Sequence, residues 1–244
     1  MSAGSTAGHK VLSNIDVEVA KGEFVAIIGA SGCGKSTLAR IVAGLESATS
    51  GRALLHGQPI LAPGPDRGMV FQQFTLFPWL TVLENVLFGL RSRGDEQAGA
   101  QERARELLAL VSLQDYEDHY PSELSGGMQQ RVAIARALAP QPELLLMDEP
   151  FGALDFMTRR RMQQHLSELW RRVGFTVVFV THDLEEALIM ADRIIVLEPN
   201  PGRVKCIKEV PFDHPRNAEI RAQADFGRAL QELETLIGIE AEVA

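Results

Sequence analysis

Apolar positions along this chain follow two rhythms in turn. Short, nearly continuous apolar runs at Phe24 to Ile28, Leu144 to Met147, Thr176 to Val180 and Arg193 to Leu197 have the length of strands covered on both faces. Between them lie stretches with helical spacing: Lys35 to Ala43, Val82 to Leu90, Gln101 to Ser112, Gln129 to Leu138, Thr158 to Arg172 and Asp183 to Met190. Val11 to Ala20 alternates instead, with Val11, Ile15, Val17 and Val19 set against Asn14, Asp16 and Glu18, and predicts a half-buried strand ending at the Lys21-Gly22 turn. Residues 51–72 read as short strands and turns that close with Gly68-Met69-Val70-Phe71. Gly44 ends the first helix, and Asp183 followed by Glu186 has capping-box spacing for the last one.

Strands alternating with helices predict an α/β fold, a parallel sheet with helices packed on it. The expected organisation is a flexible N-terminus at 1–10 and an α/β core from 11–72 and 138–200. A helical insertion over 73–137 interrupts the core, with a polar connection from Arg93 to Gln101, and a tail over 201–244 is Pro-rich and then helical near Ala222 to Ile237. The length of 244 residues fits one α/β unit with a subdomain, at about 150 residues per domain.

Charge narrows the partners. With 24 Lys plus Arg against 32 Asp plus Glu, the net charge is −8, which gives no bulk attraction to nucleic acid or anionic lipid. Two cysteines, Cys33 and Cys206, form neither a disulfide framework nor a zinc cage, and fit a reducing compartment. Nothing approaches the roughly 20 apolar residues of a membrane span, so work at a membrane requires other chains to supply the spans.

Three segments carry chemistry. Gly29-Ala30-Ser31-Gly32-Cys33-Gly34-Lys35-Ser36-Thr37 fits G-x-x-x-x-G-K-[ST], following an expected strand and opening an expected helix. Its glycines let the backbone wrap an oxyanion, and the helix N-terminus adds partial positive charge. Lys35 is suited to the β- and γ-phosphates, Ser36 to Mg²⁺ and Thr37 to the α-phosphate; the bland alternative is a Gly-rich turn without a ligand. Leu144 to Glu149 is an apolar run ending in two carboxylates, with Asp148 placed to hold Mg²⁺ and Glu149 to orient or deprotonate water. Leu124-Ser125-Gly126-Gly127-Met128-Gln129 opens a helix with Ser125 as N-cap and two glycines exposing N–H groups, either a second phosphate-binding end or a simple capping turn.

Together these residues resemble the ATP-binding subunit of ABC transporters, over nine-tenths of the chain. Gly29 to Thr37 matches the Walker A loop and Gln72 the Q-loop glutamine. Leu124 to Gln129 matches the signature motif, Leu144 to Glu149 Walker B, Ala153-Leu154-Asp155 the D-loop, and His182 the switch histidine. The resemblance implies a P-loop NTPase (RecA-like) core with a parallel sheet, an N-terminal antiparallel β part and an inserted helical subdomain. It also implies an ATPase using ATP and Mg²⁺ in a two-fold dimer. Each ATP would lie between residues 29–37 of one subunit and Ser125-Gly126-Gly127 of the other, and Asp155 would also be nucleotide-binding. Glu149, His182, Lys35 and Gln72 would be catalytic, and Ser36, Gln72 and Asp148 would hold the metal. Transmembrane permease subunits would dock at Gln72 to Leu80, placing the chain peripherally on the cytoplasmic face of the bacterial inner membrane; a periplasmic or extracellular substrate-binding protein would act indirectly, and no nucleic acid is expected. In that stretch Phe77 and Trp79 are candidates for an exposed patch, and Leu80 for core.

Phe74 to Leu80, Pro150 to Asp155 with Thr158-Arg159, and Pro199-Asn200-Pro201-Gly202-Arg203 are similar to the nitrate/sulfonate/taurine group of importers. The alternative is a soluble ABC-type ATPase such as one of iron–sulfur assembly; a simple P-loop GTPase switch does not account for the Ser125 segment. Two departures matter. No aromatic precedes Phe24 to stack on adenine, so either the start lies upstream or the platform is absent, and weak ATP affinity with poor discrimination against GTP is expected. Met128 stands where Gln is common, which backbone phosphate contacts should tolerate. Cys33, among amides and beside Lys35, is expected to be a reactive thiolate that ATP protects.

Overall fold

The computed structural model describes residues 10–72, 75–91, 99–216 and 218–238. Six strands form one sheet in the order β4 (Arg67–Val70), β5 (Leu144–Asp148), β6 (Thr176–Val180), β1 (Phe24–Gly29), β7 (Arg193–Glu198) and β8 (Arg203–Glu209). The first five run parallel and β8 returns antiparallel to β7. A small hairpin pairs β2 (Leu54–Leu55) with β3 (Gln58–Pro59).

The continuous apolar runs are explained by cover on both faces. Phe24, Ala26 and Ile28 of β1 join Leu145, Met147, Val177 and Phe179 in the larger core. Val25, Ile27, Leu144, Leu146, Val178 and Val180 join a second core on the opposite face, beneath helix α1 (Lys35–Ala43). Each Val, Leu, Ile, Met or Phe among them removed from water contributes about 1.5–3 kcal/mol. The larger core is closed by α5 (Phe156–Val173), α6 (Leu184–Met190) and α7 (Ala224–Ile237), and it extends into α2 (Val82–Arg91), α3 (Ala100–Leu110) and α4 (Gly126–Leu138). The last three helices lie between β4 and β5 in the chain.

The structure departs from the sequence reading in four places. Val11 to Ala20 keeps its alternation, with Ile15, Val17 and Val19 half-buried against the second core, but forms no strand; only Leu12 bridges, to Gly202. Alternation reports which side faces the core, not whether a neighbouring backbone is in register. α4 begins at Gly126, three residues before the apolar spacing starts, because Ser125 caps it there. The strand β8 lies in what reads as irregular tail; its outward Ile207 and half-buried Lys208 break the expected alternation. Leu80 is half-buried rather than core, because the turn that carries it is organised by a polar residue, described below. Residues 1–9, most of residues 93–101, and Phe74 fall outside the described residues. Among the described residues no helix is long and apolar enough to cross a membrane.

Candidate functional site: the carboxyl edge of the parallel sheet

Four adjacent parallel strands end at one edge, and each delivers a motif there. β4 runs into Phe71-Gln72, β5 into Asp148-Glu149, β6 into Thr181-His182 and β1 into the glycine-rich loop. Neighbouring strands lie about 4.8 Å apart, so side chains at adjacent ends meet. β5 lies between β4 and β6. Glu149 therefore receives partners from both sides: Gln72 Nε2 donates to its Oε2 at 2.9 Å, and His182 Nδ1 lies 3.1 Å from the same oxygen. The Glu149 N–H donates to the Val180 carbonyl at 2.9 Å, tying the backbone to β6. Glu149 also has φ of 48°, a left-handed conformation that a residue with a side chain adopts only at a cost, and such strain concentrates at working sites.

The loop after β1 is built for an anion. Gly34, with φ of 96°, opens α1, and no side chain caps that helix end. The first turn carries no acidic residue, so its N–H groups and dipole are unopposed. Lys35 is 8% exposed and folds back over the loop, its Nζ donating to the carbonyls of Gly29 (2.8 Å) and Ala30 (3.1 Å). Behind it, Ser36 Oγ donates to Asp148 Oδ1 at 3.0 Å. Burial pushes the Asp148 carboxyl up from its ordinary range, with the Ser36 hydroxyl opposing the shift and Glu149 adding to it. A half-buried hydroxyl and a buried carboxylate side by side are the hard oxygen donors Mg²⁺ prefers, and an added cation would relieve that burial cost. Among the described residues no three His, Cys, Asp or Glu side chains form a metal cage, so a cation here would need phosphate and water oxygens as well.

Gly202 is a contributor that motif reading could not assign. Its backbone bridges Leu12, and a Cβ on it would lie 2.0 Å from the Cys33 carbonyl oxygen. The 199–203 segment thus packs directly on the glycine-rich loop, which gives its glycine a physical reason. Cys33 corrects an expectation: its side chain is fully buried in the second core, and a Cβ on Gly29 would meet its Sγ at 2.9 Å. A buried thiol is a packing group, not a nucleophile open to alkylation. Phe24 is likewise core, stacked edge-on against Trp170 and beside Phe179, and offers no adenine platform.

Ser125, Gly126 and Gly127 sit elsewhere. Ser125 Oγ accepts from the Met128 N–H at 3.3 Å, so that amide serves the cap, while the Met128 side chain packs on the core. Gly127 faces the Ala153-Leu154 turn, where a Cβ would meet Leu154 Cδ2 at 3.1 Å. Asp155 caps α5, accepting from the Met157 and Thr158 N–H groups. The Ser125 segment and the Ala153-Leu154-Asp155 turn thus meet at the Gly127–Leu154 contact.

Beside Gln72 the exposed patch takes shape. Trp79 is 70% and Phe88 46% exposed, and Phe77 packs tilted against both, with the Arg136 guanidinium carbon 5.3 Å from the Phe77 ring centroid. Fully buried Asn85 organises this turn, accepting from the Phe77 N–H and donating to the carbonyls of Phe77, Leu80 and Thr81.

Glu186 corrects the capping-box reading. Asp183 does cap α6, accepting from the Glu186 N–H at 3.1 Å. The Glu186 side chain, however, turns inward to Thr181 and Gln163 instead of back to the cap, and burial pushes its carboxyl up to about 7.

A phosphate-loop strand, a carboxylate-tipped neighbour and an uncapped helix end on one parallel sheet define a P-loop nucleotide-binding protein. Residues 12–152 match the family model described as ABC transporter, and the chain belongs to that family as an ATP-binding cassette, an ATPase. It is 45% identical to the nitrate import ATP-binding protein NrtD of Synechocystis sp., over 98% of this chain and 92% of that protein. It is 49% identical to the taurine import ATP-binding protein TauB of Mesorhizobium japonicum, over 96% and 92%. A dimeric ATP-binding cassette in a post-hydrolysis state bound to ADP and Pi superposes with a TM-score of 0.75 at 38% identity, over 83% of this chain and 91% of that one. The iron–sulfur assembly alternative finds no support in these relatives.

Proposed function

We propose that this chain is the ATP-hydrolysing subunit of an importer for a small anion of the nitrate, sulfonate or taurine kind. The names of its relatives support the cargo class. The observation that carries the mechanism is the meeting of Gln72 and His182 on one oxygen of Glu149.

Residues 29–37 cradle the triphosphate, with Lys35 leaving the Gly29 and Ala30 carbonyls to neutralise phosphate oxygens. Ser36, Asp148 and Gln72 would hold Mg²⁺, which when bound would neutralise phosphate charge. Glu149 orients and deprotonates the attacking water, His182 holds the γ-phosphate side of the site, and Gln72 senses whether that site is filled. Phosphoryl transfer demands position and charge neutralisation above all, and this edge supplies both. Two copies face each other, so that Ser125, Gly126 and Gly127 of one close over the nucleotide of the other, with Asp155 at the joint. Closure moves the Gln72–Leu80 region, where Phe77 and Trp79 present an aromatic surface to a membrane permease. The chain then works peripherally on the cytoplasmic face of the membrane.

The test is purification with the permease and reconstitution in vesicles. The complex should take up labelled taurine or nitrate on ATP addition, Trp79→Ala should weaken the association, and Glu149→Gln should stop uptake. A chain that hydrolyses ATP normally but recruits no permease would contradict the reading.

A further inference from the structure

The turn that carries His182 is held by a buried carboxyl that lies outside the nucleotide-binding motifs. Glu186 is 5% exposed, and its two partners, Thr181 at 2% and Gln163 at 4%, are as deeply buried. The Thr181 hydroxyl donates to Glu186 Oε2 at 2.8 Å and accepts the Asp183 N–H at 3.0 Å. Asp183 Oδ1 in turn accepts the Glu186 N–H at 3.1 Å. These bonds close a ring through the residues on either side of His182, whose own side chain projects outward to Glu149.

The other carboxyl oxygen looks toward α5. Gln163 Nε2 donates to Oε1 at 3.2 Å. Arg159, four residues after Asp155, has its Nε 3.8 Å from the same Oε1 and Nη1 3.7 Å from Asp183 Oδ2. Its Nη2 donates to the Leu154 carbonyl at 3.2 Å, while its Nε is buried with no hydrogen-bond partner. One arginine thus touches the 153–155 turn on one side and the His182 turn on the other.

A purely structural explanation is incomplete. Burying a carboxyl is costly, and a hydrophobic residue of similar volume would pack α6 on α5 more cheaply. The polar ring instead fixes one backbone conformation, which is what such networks do well.

We propose that Glu186 is a positioning residue for His182: through Thr181 it sets the turn that delivers the imidazole to Glu149, and through Arg159 it ties that turn to the Ala153-Leu154-Asp155 loop. This rests on the reading of Glu149 and His182 as the hydrolytic pair. A displacement of the imidazole by about 1 Å is enough to slow the chemical step up to about 100-fold while leaving phosphate binding to residues 29–37 intact.

The test is steady-state hydrolysis of MgATP by the purified full chain. Glu186→Ala should lower kcat about 10- to 100-fold with KM for ATP within about twofold. Glu186→Gln, whose amide oxygen still accepts from Thr181, should recover most of the loss. Thr181→Val, nearly isosteric, should reproduce the Ala effect, and Thr181→Val combined with Glu186→Ala should be no slower than the worse single variant, since both remove one bond. If Glu186→Ala does not fold, Thr181→Val carries the kcat comparison. A wild-type kcat in folded Glu186→Ala or Thr181→Val, or losses that multiply in the double variant, would overturn the proposal. Glu149→Gln is measured alongside. If it is inactive while Glu186→Ala is normal, only the positioning role fails; if Glu149→Gln itself turns over normally, the hydrolytic pair fails and the positioning role with it.

Discussion

The two glycine-bearing helix ends of this molecule are built differently. At the start of α1 no side chain caps the helix, and the groups around it are already joined: Lys35 to the loop, Ser36 to Asp148, Glu149 to Gln72 and His182. At the start of α4 the Ser125 hydroxyl has taken one N–H, and Gly127 faces the Ala153-Leu154 turn of the same chain. The first end gathers the candidate catalytic groups; the second offers donors held in a capping turn. A parallel sheet can assemble the first within one chain because adjacent strands terminate together. In the proposed dimer, the second gains a purpose when another copy brings it a nucleotide.

Lys35→Ala strikes the complete end. Turnover should fall about 100- to 1000-fold at every protein concentration, because the cation is lost from within each copy. Nucleotide titration and phosphate release measure this, and activity recovered merely by concentrating the protein would break the contrast. Ser125→Arg strikes the other end. It should leave nucleotide binding by the dilute chain within about twofold, yet remove the rise in specific activity with concentration. Gly202→Val sharpens the picture of the first end as a packed object. Its Cβ would press on the Cys33 carbonyl, and KM for ATP should rise about tenfold with a stability loss of about 1–3 kcal/mol, read by titration and denaturant melts.

The smallest effect concerns Glu186 and pH. Its folded carboxyl titrates at about 7 rather than at the ordinary 4.5, so the folded chain keeps a proton that the unfolded chain releases between those values. Stability therefore falls as pH rises through that window and levels off above it. Thermal melts from pH 5 to pH 8 should show wild type losing more than Glu186→Gln, by about 1–3 kcal/mol, or about 2–10 °C. Equal pH slopes would mean the carboxyl is not held as described.

What could be read from sequence was whatever a local pattern encodes. The phosphate loop and its helix are contiguous in the chain, so spacing alone placed Lys35 and Ser36 at a helix start. The apolar runs identified the buried strands, because cover on both faces leaves no polar position. Gln72, Asp148, Glu149 and His182 were legible as motif positions, but their convergence depends on strand order, which no single segment carries. Gly202 was visible only as a loop glycine, since its reason lies in a contact with Cys33 far away in the chain. Cys33 and Glu186 were misread for a shared cause: spacing gives the neighbours along the chain and is silent on burial. For Cys33 that turns an expected nucleophile into a packing group; for Glu186 it turns an expected cap into an internal anchor.

The central claim is that nucleotide joins two copies through their unlike helix ends. Light-scattering mass measurement on Glu149→Gln with ATP and Mg²⁺ tests it most directly. The account predicts the mass of two chains, reverting to one when Ser125→Arg is added or ATP is replaced by ADP. A single-chain mass with ATP bound, in a protein whose wild type hydrolyses ATP at a rate independent of its concentration, would contradict it.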